Sequence, residues 1–100
     1  MESFDLNALE LSRFHAVLGE RMRLVVTRLD EDLVADHGEH GHEEMFLVLD
    51  GEMEIEEGDE RRVLQPGQGA LVARGADHKE TFRAGCRVLQ IALQEDEPAN

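Results

Sequence analysis

Apolar residues in this chain come in short runs, and each run ends at a glycine-containing or acidic turn. Runs of this length, rich in valine, leucine and phenylalanine, read as strands. Met45–Leu49 and Glu52–Glu56 flank Asp50-Gly51, the strongest short-range signal for a hairpin. Glu57-Gly58-Asp59-Glu60 then turns the chain into a short strand at Arg61–Leu64. Pro66-Gly67-Gln68-Gly69 leads into Ala70–Ala73, and Arg74-Gly75-Ala76-Asp77 into Lys79–Arg83. Ala84-Gly85 precedes the last run, Cys86–Leu93. Upstream, Met22–Leu29 and Asp32–His37 read as strands joined through Asp30-Glu31. Short strands with turns at this spacing predict an all-β sandwich or barrel.

The segment Leu6–Leu18 fits either period, with apolar residues at Leu6, Leu9, Leu11, Phe14, Val17 and Leu18. The expected organisation is therefore an irregular or helical N-terminal segment over 1–19, which packs on the barrel or on a partner subunit. The barrel follows over 20–93, and a flexible acidic tail over 94–100. One hundred residues hold one domain and no second core. A domain of this size buries roughly 60–65% of its unfolded surface. That small core, with the apolar N-terminal segment left over, favours a homodimer.

The charge narrows the partners. A formal net charge of −13 repels phosphate backbones and anionic lipid, which argues against nucleic acid and membrane. The longest apolar run, Met45–Leu49, is far too short to span a bilayer. The acidic start, Met1-Glu2-Ser3-Phe4-Asp5, has no apolar signal core, and Cys86 is the only cysteine. Both fit a cytoplasmic protein.

Three of the five histidines fall within six residues, in Asp36-His37-Gly38-Glu39-His40-Gly41-His42-Glu43-Glu44. His78 follows the Arg74–Asp77 turn, far away in sequence. Imidazole and carboxylate are the ligands that first-row transition metals use. Histidines two apart on a strand share a face, and a carboxylate opening the next strand can reach the same point. The candidate ligands are His37, His40, His42, Glu44 and His78.

The run from His37 to Gly51 resembles the first motif of the cupin family, an HxH pair, then a Glu, then a Gly seven residues later. Glu44 and Gly51 stand at that spacing. Pro66-Gly67 and Gly75-Ala76-Asp77-His78 resemble the second motif, whose His is the last metal ligand. The resemblance covers about residues 20–93 and implies a double-stranded β-helix, or jelly-roll barrel, around one divalent ion of iron, manganese, nickel, copper or zinc. It is specific for fold and not for function, because one fold hosts many unrelated activities. Aligned on Glu44, the family's second His falls on His40 and its first on Gly38. His37 is one residue off and reaches inward only through a bulge. With a loop one residue longer, His37 pairs with Glu39, and His40 or His42 supplies the next donor. Ala73 and Phe82 stand where the second motif has Pro and Asn.

If Glu44 points inward, strand parity takes Phe46 and Val48 with it, and His78 takes Glu80 and Phe82. Glu80 is then a conceivable proton acceptor. His15 has no companion ligand nearby and reads as structural or surface. Cys86 reads as a small buried hydrophobe, and Arg61-Arg62 as a solvated face balancing Glu54, Glu56 and Glu57. The chain has no phosphate-binding Gly-rich loop, no CxxC and no serine elbow, so a Ser or Cys nucleophile is not expected. The expected function is binding of, or action on, a small organic molecule beside the metal, with oxygenase, isomerase and lyase chemistry all open. A non-catalytic ligand- or metal-binding module is the alternative, and a dry structural barrel the third reading.

Overall fold

A computed structural model describes residues 1, 3–8, 13–39, 43–73, 75 and 77–93; for residues 13, 36–39 and 93 this covers the backbone only. After a short 3-10 turn at Leu6–Ala8, the described residues form nine strands. These are β1 (Arg13–Leu18), β2 (Met22–Arg28), β3 (Leu33–Glu39), β4 (Glu44–Asp50) and β5 (Met53–Glu57), then β6 (Glu60–Leu64), β7 (Gly69–Val72), β8 (Asp77–Phe82) and β9 (Arg87–Leu93). The ambiguous segment thus takes both forms, one helical turn and then one strand.

The strands form two antiparallel sheets, in the orders β1-β2-β9-β4-β7 and β3-β8-β5-β6. Asp50-Gly51 does not close a hairpin, because β4 lies in the first sheet and β5 in the second. The turn is a corner through which the chain crosses the sandwich. Gly51 takes φ +75°, and a Cβ there would come within 2.7 Å of the Cys86 Cα. Only glycine lets the corner sit this close to the neighbouring backbone. Asp50 steadies it through a 2.8 Å ion pair with Arg87. A true hairpin occurs one turn later, where Glu57 pairs with Glu60 across Gly58-Asp59.

Alternation then decides what lies between the sheets. On β4, Glu44, Phe46 and Val48 are buried while Met45 and Leu47 are exposed. On β8, His78, Glu80 and Phe82 are buried, as parity requires. Leu29, Phe46, Val48, Met53, Ile55, Leu64, Val72, Phe82, Cys86 and Val88 form the apolar core. That core is therefore apolar towards Val48 and Phe82, and polar towards Glu44 and His78.

Candidate metal centre

Three buried side chains converge at the polar end of the core. Glu44 comes from β4 in one sheet; His78 and Glu80 come from β8 in the other. Their relative exposures are 2%, 3% and 1%. The His78 Nε2 lies 3.1 Å from Glu80 Oε1 and 3.7 Å from Glu44 Oε2. One potential ligand atom from each residue lies within 4.8 Å of the others. Two carboxylates in a core of this kind carry a desolvation penalty unless protons, donors or a cation offset it. One imidazole and two carboxylates around a common point make a donor set that first-row divalent ions accept. The chemistry of these residues therefore fits a metal ion.

Neighbours hold the three in place. Gln90, on β9, donates from Nε2 to Glu44 Oε2 at 2.9 Å. It reaches Glu44 diagonally, since Glu44 itself pairs with Ala92 on that strand. Phe46 and the His78 ring pack in a T-shaped arrangement at a centroid distance of 6.3 Å. Gln90 was missed in the sequence, where it stands as one polar residue inside an apolar strand. That interruption at an inward position was the available signal.

Of the five sequence candidates, the structure brings together Glu44 and His78, and adds Glu80. His40 and His42 lie outside the described residues. For His37 only the backbone is described, within β3. Asp36 pairs with Lys79 and Glu39 with Asp77, so the register shifts between Asp36 and Glu39. Three steps along β3 span two along β8, which is one extra residue at His37-Gly38, directly opposite His78. A register irregularity is thus present where the first motif lacks its expected histidine.

The other chemically distinctive residues divide cleanly. Cys86 is buried, and desolvation raises its thiol pKa, which disfavours the nucleophilic thiolate. His15 sits on β1, and its Nε2 is buried without a hydrogen-bond partner among the described residues. Arg61 meets Glu54 at 2.9 Å, as the charge pattern anticipated. Arg62 pairs instead with Glu60 at 3.2 Å, and Glu56 with Lys79 at 3.6 Å. The two arginines thus serve opposite faces of β6.

Solved structures share this architecture at low sequence identity. TT1209 from Thermus thermophilus is 23% identical with a TM-score of 0.76, covering 96% of this chain and all 100% of that one. A cupin superfamily protein from Desulfitobacterium hafniense is 18% identical with a TM-score of 0.74, over 87% and 83% of the two chains. KdgF from a Halomonas species is 20% identical with a TM-score of 0.72, over 84% and 79%. These likenesses show the fold. A comparison with curated protein sequences finds no match. The family model described as a cupin domain, however, matches residues 24–91, from β2 to within β9. That span holds Glu44, His78, Glu80 and strands of both sheets, leaving out β1, and the chain belongs to the cupin domain family.

Proposed function

We propose that this cupin holds one divalent transition ion through Glu44, His78 and Glu80, with a histidine from His37, His40 or His42 completing the set. It binds or acts on a small organic molecule beside that ion. The observation that carries this reading is the convergence of three buried donors from two sheets. The ion, of the iron, manganese, nickel, copper or zinc type, would supply Lewis acidity to a carbonyl or to water. Within the chain, Gln90 holds Glu44 in orientation and Phe46 packs against the His78 ring. Glu80 accepts a proton at Oε1 when it is not engaged with the ion.

Burial of all three donors favours a second reading, a non-catalytic metal or ligand module, because structural metal sites are closed and catalytic ones keep an open position. Thermal unfolding after chelation and after stepwise addition of each ion tests metal binding. Turnover assays on carbonyl, phenolic and sugar substrates then separate enzyme from module. A rise in melting temperature with one ion and turnover supports the first reading, and a rise without turnover the second. No rise with any ion contradicts both.

A homodimer is supported by the outer face of the first sheet, where Met45 is 48% and Leu71 59% exposed and the two are cross-strand neighbours. Light scattering of the protein and of Leu71→Lys tests this, with a monomeric wild type as the contrary result. The net charge of −13 supports a partner other than nucleic acid or membrane. No helix among the described residues is long and apolar enough to cross a membrane. The single cysteine supports residence in the reducing cytoplasm.

A further inference from the structure

The two sheets part between β6 and β7, and a cleft of about 280 Å³ opens there. This is close to the lower bound of ordinary ligand sites, and so suits a small metabolite. Its apolar walls include Ile55, Leu64 and Val72, and its polar groups are Glu57, Glu60 and Arg62. The cleft adjoins the candidate metal centre through three cross-strand pairs. Val72 is opposite Glu44, Ile55 opposite Glu80, and Glu57 opposite His78. Directly opposed residues lie about 4.5–5.5 Å apart at Cα, so cleft and centre are separated by one layer of side chains.

Arg62 is the cation lining this cleft. Its sequence neighbour Arg61 turns to the other face and is occupied by Glu54. The described contact of Arg62 with Glu60 engages one terminal nitrogen, Nη2. A guanidinium carries five N–H donors in a planar fork that suits a carboxylate. The Arg62 side chain is 68% exposed, so solvent screens such a pair, and the planar fork geometry supplies the selectivity. On a chain of net charge −13, a small anion needs a local cation to be drawn in at all. From this geometry we propose that Arg62 is a specificity-determining residue, selecting small organic molecules that carry a carboxylate and seat it in the β6–β7 cleft. This rests on the reading that the barrel receives a small molecule, and it names the class.

Calorimetric titration of the zinc-loaded protein with lactate, benzoate and succinate, each beside its uncharged amide, tests the assignment. Metal content is measured on every sample. The carboxylates bind and their amides do not. Arg62→Gln weakens binding about threefold to fivefold, the loss expected for a solvent-exposed ion pair. Arg62→Lys loses less, Arg61→Gln binds as the wild type, and all variants keep the metal content of the wild type. Equal binding by Arg62→Gln, equal binding of amide and acid, binding of none of the acids, or tighter binding of methylammonium drawn by Glu57 and Glu60 would each overturn it. The metal reading fails separately: protein without metal that still binds carboxylates through Arg62 upholds this assignment and contradicts that one.

Discussion

The Nε2 of His78 lies 3.1 Å from the Oε1 of Glu80, two residues further along the same strand. Because Glu44 approaches the same nitrogen at 3.7 Å, one imidazole edge faces two carboxylates from opposite sheets. On the proposed reading this group is a ligand set in metal-loaded protein. In metal-free protein it is two acids taken out of water.

That duality sets opposite signs for one substitution. Glu80→Gln lowers metal affinity at least about tenfold, since even loss of an outer-shell partner typically does so. The same change leaves the chelated protein unaltered or more stable, by up to about 2 kcal/mol, because one of two like-charged carboxylates facing His78 becomes a neutral isostere while Glu44 remains as its partner. Melting temperatures measured with and without metal check both signs. A variant destabilised equally in the two states would show Glu80 to be an ordinary structural partner of His78.

The corner between the sheets gives a second test. Gly51→Ala adds a Cβ against the Cys86 backbone at φ +75°, whereas at Gly58, φ +58°, the same atom meets nothing within 4 Å. Left-handed backbone alone costs about 1–2 kcal/mol for alanine, which is the expectation for Gly58→Ala. Overpacking adds to this at Gly51, for about 3 kcal/mol or more in total. Urea unfolding of both variants measures the difference, and equal losses would mean that the corner relaxes freely.

Most of the fold was legible from turn chemistry. Every strand from β2 to β9 coincides within one or two residues with a stretch set off by Gly, Asp or Pro, although β5, β6 and β8 are themselves largely polar. Parity also placed Phe46, Val48, Glu80 and Phe82 inside once Glu44 and His78 were taken as inward. Sheet membership was not legible. Asp50-Gly51 carries the signature of a hairpin, yet a tight turn fixes only local direction, and long-range pairing of β4 with β9 and β7 decided the rest. For the site, His78 and Glu44 stood out through motif spacing, while Glu80 followed only from parity. The roles of Arg61 and Arg62 diverged because adjacent strand residues face opposite ways.

The ion pairs of Glu54 are expected to add stability that is lost in acid. The Arg83 guanidinium, donating at 2.9 Å, and then Arg61 hold its carboxyl pKa below the ordinary 4.5. The charged form is thus favoured by folding, so its contribution is complete above 4.5 and is lost as pH falls through the lower folded-state value. Urea midpoints of wild type and Glu54→Gln should differ by a constant amount at neutral pH and converge under acid. A difference that persists unchanged at the lowest pH would assign the effect to packing.

The central claim is that Glu44, His78 and Glu80 hold a metal ion, and metal stoichiometry tests it most directly. Protein purified without a histidine tag, reloaded and desalted, is analysed by mass spectrometry beside His78→Ala. About one ion per chain in the wild type, and a loss of at least about tenfold in the variant, is the expected result. No ion in the wild type under any loading condition, or equal occupancy in His78→Ala, would contradict the account.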